Sequence, residues 1–330
     1  MKLGTYGEIV LRLEVEDNQL LSQTSSLSML FTGTGLNIMA GLSRFGLESS
    51  ILSFLPQNNV GNAGVKQVES LGLDVRFIQK RSDNMAIYFL EKGYGVRPSE
   101  VTYFDRRNSS FNTTVLSDEL IENYLSTIDG LFICGISILT STISRDNTIK
   151  LLEKAKVLGK SIFFDFNIRA SLLKEANHLE KVRGYYKDAC KNVTIVFGSV
   201  RDLKEVLGLE GGDDDEVINK FLMEYNVKCF ATTTKTFENQ HVTIQGKIYK
   251  ENKIYQSKNL TTQYLDTIGT GDAFAAGVIY GYVKDFAPEY VVNFATYNAL
   301  LSYTINGDCY NVDKNMVEQM MKGINIAVKR

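Results

Sequence analysis

Short apolar runs alternate with amphipathic segments along this chain, and the alternation restricts its fold more than any single motif does. Residues 50–55, 130–135, 161–166, 194–197 and 228–232 have the length and composition of buried strands. Residues 36–45, 63–71, 148–158 and 201–207 instead carry apolar side chains at helical spacing. Parallel strands need long crossover connections that lay helices over the sheet. The pattern therefore predicts an α/β fold, a mostly parallel sheet with helices on both faces. Ligands of such sheets gather at the carboxyl ends of the strands. Residues 10–31 and 85–111 break the alternation with extended, strand-like composition, the second region holding Tyr88, Tyr94, Tyr103, Phe104 and Arg106. By composition alone these are irregular hairpins.

The chain's 330 residues can bury a large core as one α/β domain or as two smaller ones. Only three prolines and no Ser/Gly-rich linker favour a single unit over residues 1–330. A formal net charge of −2 without a Lys/Arg run gives no electrostatic basis for binding nucleic acid or an anionic membrane, so a small-molecule partner is expected. Cys134, Cys190, Cys229 and Cys309 are far apart and form no Cys-x-x-Cys pair, which argues against a disulfide framework or a thiolate metal site. Residues 1–8 lack a secretory pattern, and no apolar run approaches the ~20 residues that span a bilayer, so a cytoplasmic location is expected.

The stretch from Asp266 to Phe274 carries the chemistry. Gly269, Thr270, Gly271 and Asp272 stand where a loop becomes an apolar helix, 273–282. A helix start leaves backbone N–H groups unpaired and carries partial positive charge, and glycines let a phosphate approach the backbone. Asp272 in the first turn is then a helix cap, a general base beside bound phosphate, or both.

Three other matches fail on context. Gly33-Thr34-Gly35 invites a dinucleotide-binding reading, but Ile38 replaces the third glycine and no acidic partner follows a second strand about 20 residues on. Gly159-Lys160-Ser161 suggests a Walker-type loop, yet Lys154 replaces its leading glycine and the segment runs from helix into strand. The run Gly211-Gly212-Asp213-Asp214-Asp215-Glu216 reads as a solvated loop feeding a helix. His178 and His241 are isolated from every motif, so histidine-based chemistry has no support.

Asp266–Asp272 resembles the Asp-Thr-x-Gly-Ala-Gly-Asp motif of the ribokinase-like (PfkB-type) carbohydrate kinases, and the similarity extends from Gly7-Glu8 to about residue 325. The resemblance implies ATP- and magnesium-dependent phosphorylation of a sugar hydroxyl, with Asp272 as base and the amides around Gly269, Thr270 and Gly271 as anion hole. It also implies that residues 10–31 and 85–111 form a small β-sheet lid that closes over the sugar and mediates a homodimer. Thr32-Gly33-Thr34-Gly35-Leu36-Asn37 resembles the family's Gly-Gly-x-x-x-Asn element, in which Gly33, Thr34 and Asn37 would touch sugar hydroxyls; otherwise they form part of a helix start.

The closest branch is similar to 2-keto-3-deoxygluconate kinase, through the Val101–Ser110 segment and Asp165-x-Asn167-x-Arg169. Guanidinium groups bind carboxylates bidentately, so Arg106 and Arg169 over the pocket would select an acid sugar, with Tyr88 and Tyr103 beside it. Alternatively Arg106 is a surface cation stacked on a ring. Asp165 and Asn167 would organise a magnesium water network or cap the next helix. A neutral ketohexose or pentose is the alternative substrate.

In the nucleotide half, Ser199 and Asp202 occupy the positions of the family's Asn-x-x-Glu, with Asp202 reaching magnesium through water. Thr236-Phe237-Glu238-Asn239 stands where the family has Gly-x-x-Gly along the ATP phosphates, and Thr236 and Asn239 are the expected contacts. Side chains and a negative charge there would weaken nucleotide binding, which keeps a weakly catalytic sugar-acid sensor in view. Asn298 would flank adenine, and Gly307-Asp308 resembles the family's closing turn.

Overall fold

The computed structural model describes residues 1–169, 179–308 and 312–323; His178 and Cys309 lie outside them. Its strands are β1 (Leu3–Tyr6), β2 (Val10–Val15), β3 (Leu27–Thr32), β4 (Ser49–Leu55), β5 (Ile78–Lys80), β6 (Ile87–Glu91) and β7 (Glu100–Phe104). They continue with β8 (Gly130–Cys134), β9 (Ser161–Asp165), β10 (Ile195–Phe197), β11 (Cys229–Glu238), β12 (His241–Lys250), β13 (Lys253–Gln256) and β14 (Leu260–Gln263).

A 10-stranded sheet runs in the order β13-β12-β11-β10-β9-β8-β1-β4-β5, with β14 also on β12. Pairing is parallel from β11 to β5 and antiparallel beyond β11. Its two faces bury separate cores, because successive strand residues point to opposite sides. On β8, Phe132 and Cys134 join the core beneath the helices Thr34–Arg44 and Thr270–Val283, while Leu131 and Ile133 join the one beneath Thr142–Val157. On β9, Phe163 faces the first core and Ile162 and Phe164 the second.

The helix Thr270–Val283 is apolar nearly all round, as a helix must be when packed on several sides. Gly277 lets it lie against Pro288–Ser302, since a Cβ there would stand 2.6 Å from Ala295 Cα. This close seat fixes the end of the helix that carries Asp272.

The two regions that broke the alternation form a second, 4-stranded sheet, β3-β2-β6-β7, in which only β2 and β6 run parallel. The expected Thr236–Asn239 loop is corrected. Threonine-rich β11 continues to Glu238, and Asn239 and Gln240, at φ 47 and 62, make the two-residue turn into β12. β-branched residues favour extension, and positive φ at both turn residues matches the twist of a hairpin.

Candidate active site

A cleft opens where β1, β8, β9, β10 and β11 end, as the parallel topology requires. A larger cavity of about 1060 Å³ lies under the small sheet, and one of about 410 Å³ lies beside Ser199 and Asp202. Asp165, Asn167, Arg169, Lys235 and Gly271 line both, so the two are arms of one cleft.

The helix Thr270–Val283 starts in this cleft. Gly269 is its N-cap at φ 77 without a side-chain cap, and a Cβ there would meet Asp308 O at 2.6 Å. Only glycine fits that left-handed, crowded position. A Cβ built on Gly271 meets nothing within 4 Å, which leaves the first-turn amides open to an anion.

Asp272 follows in the first turn and is buried. Asn37, on the helix Thr34–Arg44, donates its Nδ2 to Asp272 Oδ2 at 2.7 Å, and its Oδ1 lies 3.2 Å from Thr32 Oγ1. Burial pushes the Asp272 carboxyl up to about 8, helped by the Asp165 and Asp308 charges and opposed by Asn37 and Arg169. A carboxyl titrating near neutrality suits a general base.

Asp165, the last residue of β9, is likewise lifted by burial to about 6, and the backbone N–H of Asn167 donates to it at 3.0 Å. Asn167 Nδ2 reaches Thr34 Oγ1 at 3.1 Å, joining β9 to the helix whose N-cap is Gly33. Asp202 Oδ2 accepts from Ser199 N and Oγ at 2.7 and 2.8 Å, a reciprocal cap of the helix Val200–Glu205. Burial raises the Asp202 carboxyl as well.

On the side of the small sheet, Arg106 Nε donates to Glu8 Oε2 at 2.7 Å, and its guanidinium lies 4.9 Å from the Tyr103 ring centroid. Ser109 Oγ and Asn112 Nδ2 also donate to Glu8, at 2.9 and 2.7 Å. Arg106 is thus both stacked on a ring and aimed into the cavity, with its Nε committed to Glu8. Tyr88 lines the cavity, but its hydroxyl donates to Asp308 at 3.1 Å.

Gly33, Thr34, Asn37, Tyr88, Tyr103 and Arg106 line the larger arm, together with Gly269, Thr270 and Asp272. Ser199 and Asp202 line the smaller arm, and Arg169 and Gly271 line both. Three expected residues fall elsewhere. Thr236 and Asn239 lie on the exposed hairpin, carried away by the extra length of β11. Asn298 is fully buried on the helix Pro288–Ser302 and donates to Ala273 O at 2.8 Å, so it ties two helices together instead of facing adenine.

Glu8, Arg12, Asp308 and Lys235 were not read as site residues from the sequence. Glu8 had a signal, a carboxylate two residues past the end of strand β1. Arg12 had one too, a lone cation inside the apolar β2. Lys235 had none, because its placement depends on where β11 ends.

Residues 2–315 match the pfkB family of carbohydrate kinases. A 2-dehydro-3-deoxygalactonokinase of Haloferax volcanii is 25% identical over 333 residues, covering 100% of this chain and 99% of the relative. A structure from Enterococcus faecalis, described as a candidate 2-keto-3-deoxygluconate kinase, superposes with a TM-score of 0.95 at 36% identity, covering 100% of this chain and 99% of the other. The 2-dehydro-3-deoxygluconokinase of Thermotoga maritima superposes with a TM-score of 0.91 at 26% identity, over 98% of this chain and 100% of the other. With a helix start open to an anion, a buried carboxylate beside it and this match along nearly its whole length, the chain belongs to the pfkB family of carbohydrate kinases, enzymes that phosphorylate a sugar using ATP.

Proposed function

We propose that the protein phosphorylates a hydroxyl of a sugar acid, 2-keto-3-deoxygluconate to its 6-phosphate being the leading candidate. The observation that carries this reading is the presence of Arg106 and Arg169 around the cavity that holds Asp272. Guanidinium groups there favour a carboxylated sugar over a neutral one. The relatives named above as 2-keto-3-deoxy sugar-acid kinases support the same choice.

The donor set suits ATP and Mg²⁺. The first-turn amides past Gly269 form an anion cradle that the bare Gly271 leaves open. Mg²⁺ usually keeps several waters and takes one or two carboxylates plus phosphates, and Asp165 and Asp202 supply carboxylates in the arm beside Ser199. When bound, ATP supplies the phosphoryl group and Mg²⁺ offsets its charge. The side chains do the rest. Asp272 accepts the proton of the attacking hydroxyl, Asn37 orients the carboxylate, and Arg106 and Arg169 hold the acid group. The small sheet acts as a lid that keeps water from the transferring phosphoryl group.

One observation favours a neutral ketohexose or pentose instead. Glu8 takes the Nε of Arg106 and offsets part of its charge. A coupled ADP-release assay with ATP and Mg²⁺ decides, using 2-keto-3-deoxygluconate, its galactonate epimer, fructose, ribose and adenosine. Turnover confined to the acids supports the proposal, turnover on a neutral sugar removes the acid pocket, and silence across the panel favours the sensor.

The same reading pairs two copies through the lid, where Met29, Val101 and Phe104 are exposed apolar side chains. A monomer in sedimentation at micromolar concentration would reject that pairing. A cytoplasmic location is supported by the free thiols of Cys134, Cys190 and Cys229. Among the described residues no helix is long and apolar enough to cross a membrane.

A further inference from the structure

We infer that Lys235 is the phosphate anchor of the cleft, holding the terminal phosphate of the nucleotide that a glycine-lined loop would otherwise follow. The inference rests on the kinase reading and adds a residue to it.

Its first support is position. Lys235 lies on the part of β11 that runs past β10, and it lines both arms of the cleft. A group at that junction stands where the donor's end meets the acceptor. Its Nζ is 3.4 Å from Thr270 Oγ1, beside the first residue of the helix Thr270–Val283, so the ammonium and the open helix start address the same space.

The second support is charge. Lys235 makes no ion pair among the described residues; its contacts are the Thr270 hydroxyl and the Tyr303 ring, 5.9 Å from Nζ to centroid. That ring is a weak partner at such a distance and leaves the ammonium's remaining protons for a ligand. Asp165, Asp202 and Asp272 crowd the same cleft with carboxylates, so polyphosphate binding there needs a compensating cation.

The third is the hairpin itself. Because residues through Glu238 pair with β12, every second backbone N–H there is taken up by the ladder, and the extended segment makes no glycine-rich turn around phosphates. A point charge on a flexible stem replaces that function without bare backbone.

In the transfer, the acceptor oxygen bonds to the γ-phosphorus as the bond from that phosphorus to the β–γ bridging oxygen breaks. The electron pair leaves with ADP, and the hydroxyl proton passes to Asp272. Lys235 changes no bond. It holds a non-bridging oxygen throughout and offsets charge on the moving group.

Binding of a non-hydrolysable ATP analogue with Mg²⁺, and separately of AMP, to the wild type, Lys235→Ala and Lys235→Arg tests this without any sugar. Lys235→Ala is expected to weaken the analogue about tenfold or more, the size of a charged hydrogen bond, and to leave AMP unchanged. Lys235→Arg should retain most of the affinity. Equal affinity of Lys235→Ala and wild type for the analogue, or equal losses for analogue and AMP, overturns the anchor and leaves the kinase reading intact. A wild type that binds neither nucleotide overturns the kinase reading and this inference with it.

Discussion

Asn37 and Asp272 meet at 2.7 Å across two helices, the amide of one donating to the carboxylate of the other. That bond favours the ionised base, while burial disfavours it more strongly, and the balance leaves the carboxyl titrating at about 8. In the role of base proposed above, Asp272 must lose this proton before it can take one from substrate. The kcat/KM for the sugar is therefore expected to climb through the neutral range and to level off above about pH 8. A profile already flat between about pH 6 and pH 9 would contradict that balance.

Asp272→Asn should lower kcat by ~10²–10⁴ while the sugar still binds, because the amide keeps the shape and accepts from Asn37 but takes no proton. Stability should move the other way. A carboxyl raised from its ordinary range to about 8 holds its proton longer in the folded chain, so folding loses stability as pH rises from about 4 to about 8. Asparagine removes that loss. The melting temperature of the variant should exceed that of the wild type at about pH 8.5, with the gap closing towards about pH 4. A gap independent of pH would mean that Asp272 is ionised throughout.

The sheet and the helix start that carries Asp272 were legible because each is a local signal. Apolar runs of strand length and a Gly-Thr-Gly-Asp helix start need no partner to be recognised, and the observed β4, β8, β9 and β10 begin or end within one residue of the expected runs. The nucleotide half was less legible. The end of β11 depends on β12, whose pairing lies in tertiary space, and moving that end six residues from 232 to Glu238 takes Thr236 and Asn239 off the cleft and puts Lys235 into it. Asn298 shows the other failure. A polar residue on a helix reads as a ligand contact or a helix tie equally well, and only packing against Ala273 decides.

Arg106 is tied to Glu8, so its removal has two effects. Arg106→Ala should raise KM for an acid sugar far more than for a neutral ketose, through loss of the guanidinium. It should also lower stability, because Glu8 is left buried with Ser109 and Asn112 as its donors. The double variant Glu8→Gln, Arg106→Ala separates the two by restoring stability without restoring acid preference. Equal KM changes for acid and neutral sugars would remove the carboxylate role.

Arg12 is fully buried and joins the small sheet to Asp266 and Asp308 beside the start of the helix Thr270–Val283. Its guanidinium pairs with Asp308 and Glu14 and reaches Asp266 at 3.2 Å, while Asp308 also accepts from Thr32 and Tyr88. Arg12→Met fills much of the volume but leaves Asp308 buried without its cation, a change that typically costs about 3–5 kcal/mol. Burial already raises the Asp308 carboxyl against the pull of Arg12, and without Arg12 it rises further. Because a raised carboxyl resists ionisation only in the folded chain, the deficit should widen as pH increases and shrink in acid. Asp308 O also lies where a Cβ on Gly269 would fall, so a displaced Asp308 would shift the helix start that holds Asp272. Arg12→Met is accordingly expected to lose thermal stability in a pH-dependent way and to lose kcat. Full turnover in a variant of lowered melting temperature would show that this tether of the small sheet does not govern the position of Asp272.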